Sequence, residues 1–212
     1  KLNIKYLSIV KIMCHFPKVI VFDAFGTLVK IGASRSPYRK LMKWLKANGR
    51  KPSAQDAKII MSNPVDVAQL AMKFGVELPG QLLREINNDL QLELSTIQLY
   101  EDTMPTLQIL KERGFKIALC SNLAMPYGEQ LRKLLPDFLD AVVFSYEVGA
   151  IKPEHQIYKV IQAHFGCDFP EMLFIGDHPI LDVETPISLG MKARLIERHK
   201  NQRLLDVMGD LI

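Results

Sequence analysis

No run of about 18 apolar residues occurs in this 212-residue chain, which excludes a hydrophobic membrane-spanning helix. Cysteine is scarce. Cys14, Cys120 and Cys167 are odd in number and show no paired spacing, so neither a disulfide framework nor a zinc module fits. A reducing, cytoplasmic setting is the expectation. Acid is nearly missing from the start of the chain. Residues 1–51 hold 12 Lys and Arg against one acid, Asp23, while residues 52–212 hold 15 against 22. The two parts, +11 and −7, give the net +4. Internal repeats and low-complexity tracts are lacking too. What is present excludes disorder, because 48% hydrophobic and 24% charged residues suit a domain that buries a real core.

Residues 1–16 are read as an N-terminal extension, with Met13 as the native start and the residues before it outside the native protein. The alternative is an added edge strand, since the stretch is β-prone. Its apolar run, Tyr6 to Val10, is too short for a signal-peptide core. The basic first quarter reads as a solvated helix face, or as a rim that draws in a small anion. No aromatic residues interleave the charges in the manner of a single-strand binder, so nucleic acid is not expected as a partner, and neither is a membrane.

Short apolar runs rich in β-branched residues mark strands at Val19–Phe22, Lys116–Cys120, Ala141–Phe144, Met172–Ile175 and Ala193–Ile196. None alternates, so each is expected to be buried on both faces, as in a parallel sheet. Helical periodicity lies between them. Thr103 to Arg113 has an N-cap Thr and a closing Gly114; Pro153 to Phe165 ends at Gly166; Leu181 to Leu189 ends at Gly190. Strands alternating with helices predict a doubly wound, mainly parallel, Rossmann-like α/β domain. From about Gly32 to Asp102 the rhythm breaks. No good strand appears there, and helices are expected over Pro37–Ala47, Ser53–Met61, Pro64–Lys73 and Pro79–Leu99. About seventy residues cannot be a loop, so 33–101 is read as an all-helical insertion, and 17–32 with 102–212 as the α/β core.

Polar groups close the strands. Asp23 follows the first strand, with Gly26 and Thr27 in the turn beyond it. Ser121 and Asn122 end the second, Lys152 follows the third, and Asp177 with Asp182 follows the fourth. Carboxyl ends of such strands are where ligands bind in open α/β sheets. A carboxylate there can act as a nucleophile, forming a covalent intermediate that water breaks. Lys152 would counter the charge of nucleophile and substrate, and the Ser121 and Thr27 hydroxyls, with free amides at helix starts, would hold anionic oxygens. Asp177 would help hold a hard cation; Mg²⁺ favours one or two carboxylates plus substrate oxygen.

The series resembles the haloacid dehalogenase superfamily of hydrolases from Val19 onward. Asp23-Ala-Phe-Gly-Thr27-Leu resembles the first motif of that family, Ser121 the second, Lys152 the third and Asp177 with Asp182 the fourth. The resemblance implies that the insertion is a helical cap over the site. It makes Asp23 and Lys152 catalytic, and Thr27, Ser121 and Asn122 contacts to a small anionic substrate. It implies Mg²⁺ held by Asp23, the Phe25 backbone carbonyl and Asp177, with Asp182 behind them or reaching the metal through water.

One departure divides the reading. Phosphatases of the family usually carry a second Asp two residues after the nucleophile, as general acid and base, and here that position is Phe25. Family dehalogenases have an aromatic there, because halide leaves without a proton. The fourth motif leans the other way, since dehalogenases need no metal. The leading expectation is therefore a Mg²⁺-dependent phosphatase working through an aspartyl-phosphate, with His178, water or a good leaving group standing in for the missing acid. A metal-independent 2-haloacid dehalogenase is the first alternative, and a binding or regulatory protein of weak turnover is the second. Arg35, Arg39 and Arg50 are candidates for an anion-binding cap residue, each more simply a solvated charge. Cys120 reads as a small buried hydrophobe.

Overall fold

The structure is a computed structural model that describes residues 16–212; the expectations for the N-terminal extension and for Cys14 fall outside the described residues. Strand β1 (Val19–Phe22) lies at the centre of a five-stranded sheet. Two short strands, β2 (Val29–Ile31) and β3 (Ile97–Leu99), pair antiparallel apart from it. The sheet is completed by β4 (Lys116–Ser121), β5 (Ala141–Phe144), β6 (Met172–Gly176) and β7 (Lys192–Leu195), in the order β5-β4-β1-β6-β7. Every pairing in it is parallel. The chain runs outward from β1 through β4 to β5, then returns to the other side of β1 for β6 and β7. The order reverses at β1, so its carboxyl end is the switch point where ligands bind in such sheets.

The inner strands β1 and β6 are apolar and fully buried because both faces are covered, whereas the edge strand β7 carries Lys192 and Arg194 and is only partly buried, against the expectation of burial on both faces. Ile20, Phe22, Ile117, Leu119, Leu173 and Ile175 belong to one core cluster, while Val19, Val21, Ala118, Cys120, Met172 and Phe174 belong to another. All four β1 side chains are buried, each worth roughly 1.5–3 kcal/mol of transfer free energy.

Four helices fill the interval between β2 and β3: α1 (Pro37–Ala47), α2 (Asp56–Met61), α3 (Val67–Lys73) and α4 (Gly80–Ser95). Pro37 opens α1, and Leu41 and Leu45 are buried, as their spacing predicts. Helix α3 is closed at its start by a capping box, in which the Gln69 amide donates to Asp66 Oδ1 at 2.8 Å and the Asp66 amide to Gln69 Oε1 at 3.1 Å. Further helices are α5 (Thr103–Glu112), α6 (Met125–Leu134), α7 (Ser145–Val148), α8 (His155–Phe165), α9 (Thr185–Ser188) and α10 (Leu204–Met208). Leu107 and Leu110 of α5 and Leu131 of α6 cover one sheet face; Ile157, Tyr158 and Ile161 of α8 cover the other.

Three local expectations are corrected. The helix expected over Pro79–Leu99 stops at Ser95, and Ile97–Leu99 becomes a strand, because Ile31, Lys30 and Val29 supply a backbone ladder for it. Thr103 does not cap α5. Asp102 occupies that position, while the Thr103 hydroxyl donates to the Leu28 carbonyl at 2.7 Å. The helix expected over Leu181–Leu189 is a wide turn, Pro179–Glu184, followed by α9. This widened turn follows directly on the loop that carries Asp177, and it carries Asp182 itself.

Candidate active site

The carboxyl edge of the sheet collects the charged residues. Asp23 leaves β1 with its amide donating to Ile175 O at 2.9 Å, which ties it to β6. The chain then turns at once: the Ala24 carbonyl accepts from the amides of Thr27, Leu28 and Val29 at 3.3, 2.8 and 3.0 Å. Gly26 sits in this turn at φ +74°, a conformation costly for other residues. A Cβ there would lie 2.1 Å from Asp177 Oδ2, so the absence of a side chain also makes room for that carboxylate. Gly176 does the same for Asp182, whose Cγ would be 2.3 Å from a Cβ. Arg198 braces the turn, with its Nε and Nη2 donating to Thr27 O at 3.1 and 2.6 Å. The same guanidinium reaches Asp102 Oδ2 at 2.9 Å and stacks 4.1 Å from the centre of the Tyr100 ring.

Lys152 Nζ lies 2.7 Å from Asp23 Oδ1 and 2.6 Å from Asp182 Oδ1. Its position is set by Asn122, whose Nδ2 donates to Lys152 O at 2.8 Å and whose Oδ1 accepts from the Lys152 amide at 2.7 Å. Asn122 was expected to touch substrate. Both ends of its amide are instead bonded to the Lys152 backbone. Burial acts against the Lys152 charge, but Asp23 and Asp182 outweigh it and hold the ammonium above its ordinary range. Asp23 is 7% exposed, and burial pushes its carboxyl up to about 6 despite Lys152, with Asp182 and Asp177 acting in the same direction as burial. Asp182 is fully engaged, since its second oxygen accepts from the His178 amide at 3.0 Å.

Asp23, Asp177 and Asp182 each offer an oxygen within 4.8 Å of the others. One ammonium faces three carboxylates. Like charges this close cannot all remain ionised without a cation or protons between them. Hard oxygen donors in this number suit a hard divalent cation, so the residues present fit Mg²⁺.

Ser121 ends β4 and is 2% exposed. Thr27, expected as a substrate contact, is fully buried, and its hydroxyl has no hydrogen-bond partner among the described residues. The His178 Nδ1 accepts from the Ile180 and Leu181 amides at 3.2 and 3.3 Å, capping the wide turn. Burial pushes the Cys120 thiol up to about 12, in keeping with an inert core residue. Arg50 pairs with both oxygens of Asp56, at 2.9 and 2.5 Å, and lies over the Phe74 ring, so it holds the insertion together; Arg35 and Arg39 are exposed.

Two residues that sequence reasoning missed link the insertion to the core. Glu93 of α4 accepts from Tyr127 OH at 2.5 Å, from the Ser36 amide at 2.8 Å, and from the Arg35 amide. Burial opposes ionisation of Glu93, yet these donors hold it below the usual carboxylate range. Tyr127 of α6 meets Phe25 edge to face, with ring centres 5.8 Å apart. A cavity of about 300 Å³ lies between the insertion and the core, lined by Phe25, Ile31, Tyr38, Ile60, Met61, Tyr127 and the Asn122–Ala124 segment. Nothing local in the sequence marks Glu93 or Tyr127, because their partners are distant in the chain.

A doubly wound α/β protein with a carboxylate–lysine centre at its switch point is the class that this fold and site define. Residues 17–190 match the family model for haloacid dehalogenase-like hydrolases, and the chain belongs to that family. It is similar to a glyceraldehyde 3-phosphate phosphatase of Methanopyrus kandleri, 35% identical over 105 residues that make up 49% of this chain and 45% of that protein. It is also similar to the pyrophosphatase PpaX of Bacillus cereus, 31% identical over 141 residues, covering 61% and 64% of the two chains. The chain thus spans between about half and two thirds of these curated relatives. Among solved structures, an HAD family enzyme from Bacteroides thetaiotaomicron superposes with a TM-score of 0.63 at 19% identity, covering 86% of this chain and 94% of that one. An HAD phosphatase from Thermococcus onnurineus gives 0.60 at 24% identity, covering 92% and 95%.

Proposed function

We propose that the protein is a Mg²⁺-dependent phosphatase of small phosphorylated compounds, working through an aspartyl-phosphate on Asp23. The observation that carries this reading is the surplus of carboxylate at the switch point: three Asp side chains within 4.8 Å and one ammonium among them. The phosphatase names of the relatives support it. Asp23, Asp177 and the Phe25 carbonyl would hold the metal, which when bound screens the negative charge of nucleophile and phosphoryl group. Lys152 holds Asp23 Oδ1 and leaves Oδ2 for attack on phosphorus. Ser121 donates to a phosphoryl oxygen. Asp182 keeps Lys152 charged and aimed, and Asn122 keeps its backbone in place. The insertion, residues 33–101, acts as a cap over the core formed by 17–32 and 102–212. A cytoplasmic enzyme is the simplest setting for free thiols at Cys120 and Cys167.

The test is phosphate release from a panel of phosphate esters with and without Mg²⁺. Release is expected to need the metal and to fall sharply in Asp177→Asn. Indifference both to EDTA and to that substitution overturns the metal assignment. Phe25 favours a second reading, a metal-free 2-haloacid dehalogenase, since halide departs without a proton. Halide release from a haloacid panel in EDTA would establish it.

A further inference from the structure

The wide turn after β6 leaves one backbone group unprovided for. Over Pro179–Glu184 the turn closes in a five-residue register, with the Thr185 amide donating to Ile180 O. In that register the next carbonyl, Leu181 O, would accept from the amide of residue 186. That residue is Pro186, which has no N–H. A carbonyl left without a donor and partly screened from water costs free energy, so its partner has to come from outside the turn. Tyr158 of α8 supplies it: its hydroxyl donates to Leu181 O at 2.5 Å. The Tyr158 residue is fully buried, and its ring meets Phe174 edge to face with centres 5.9 Å apart. Burial pushes the hydroxyl above its ordinary range, so it stays a donor.

Leu181 immediately precedes Asp182, and Asp182 depends on the open turn. One of its oxygens pairs with Lys152 Nζ at 2.6 Å, and the other accepts from the His178 amide at 3.0 Å. The competing geometry is an ordinary α-turn, in which the Thr185 amide bonds to Leu181 O, four residues back. Tyr158 meets the need that would otherwise draw that amide to Leu181 O. Without the hydroxyl the narrower turn is favoured. It winds the segment further per residue and swings the Asp182 side chain away from Lys152.

We propose that Tyr158 is a positioning residue of this site: its hydroxyl holds the turn after β6 open, and through that turn keeps the Asp182 carboxylate on Lys152. Its effect on turnover rests on the phosphatase reading above; its effect on the turn does not.

The experiment uses Tyr158→Phe, which keeps the ring against Phe174 and deletes only the hydroxyl, together with Asp182→Asn and the double variant. Crystal structures of the protein and of Tyr158→Phe form the first arm. The variant is expected to show the Thr185 amide on Leu181 O and Asp182 moved off Lys152 Nζ. The second arm measures phosphate release from 4-nitrophenyl phosphate with Mg²⁺, well below each variant's melting temperature. Tyr158→Phe is expected to lower kcat by about 10²-fold with KM nearly unchanged, as a misplacement of about an ångström does. In the Asp182→Asn background the same substitution should cost little more, because the group it positions has already been altered. A merely structural role predicts losses that multiply in the double variant. An unchanged turn, an unchanged kcat, or multiplying losses overturns the inference while the phosphatase reading stands. If the unaltered protein releases no phosphate from any ester of the panel and Asp23 gains no phosphoryl group by mass, the phosphatase reading fails, and the crystal structures still decide whether Tyr158 holds the turn open.

Discussion

At the carboxyl edge of the sheet, three carboxylates crowd around one ammonium; the cavity that Phe25 helps to line has no charged side chain among the described residues that form it. The first region is built from strand ends and the loops that follow them. Its groups are held by parallel ladders, two glycines without room for a Cβ, and an amide clamp from Asn122. The second is built where insertion meets core, from side chains of α1, α2 and α6 and from the Asp23 turn. The contrast is one of tolerance. Reacting groups at the sheet edge must be placed closely, because a misplacement of about an ångström costs about 10²-fold in rate. An apolar wall needs only the right volume. Sheet-edge changes should therefore abolish activity, whereas wall changes should redirect it.

The largest effect is expected from Asp23→Asn, which removes the proposed nucleophile and should lower kcat by about 10⁴-fold or more while leaving the fold intact. Near-normal turnover would collapse the distinction between the two regions. Next is Lys152→Ala, which leaves Asp23 and Asp182 buried without their cation. A loss of about 3–5 kcal/mol in urea unfolding is expected beside the loss of activity. Gly176→Ala should displace the Asp182 carboxylate and cost about 10²-fold in kcat, as misplacement by an ångström does, with far-UV circular dichroism unchanged. Tyr127→Phe probes the wall. It removes one donor from Glu93 and should cost about 1–3 kcal/mol of stability, with a change in KM larger than any change in kcat.

A pH scan gives the smallest and most local test. Burial opposes ionisation of Asp102, but Arg198 and the Leu204 amide overcome it and hold the carboxyl below its usual range. A carboxylate with a depressed folded-state pKa contributes stability that is complete above its unfolded value, about 4, and is lost as pH falls through the folded value. The melting temperature should therefore drop below about pH 4, and part of that drop should vanish in Asp102→Asn.

Much of the sheet edge was legible in the chain because strand ends are a local property. Val19–Phe22 and Ala141–Phe144 form strands at the boundaries their apolar runs predict, and once the strands pair parallel, Asp23, Ser121, Lys152 and Asp177 fall at or near one edge. Local pattern misled where a long-range partner intervened. Ile97–Leu99 carries enough helical character to extend α4, yet Val29–Ile31 claims it as a strand. Asn122 and Thr27 look alike in sequence, as polar residues near the nucleophile and the second motif. Packing gives one to the Lys152 backbone and encloses the other.

The amino-acid order by itself determined the parallel sheet, the helical insertion and the carboxylate–lysine set, because each follows from periodicity and from which residue closes each strand. Only the tertiary structure decided how that set is balanced and what faces it. Ion-pair distances, the clamp on Lys152, the spent hydroxyl of Tyr127 and the uncharged cavity all arise between residues far apart in the chain, and such contacts leave no mark in local sequence.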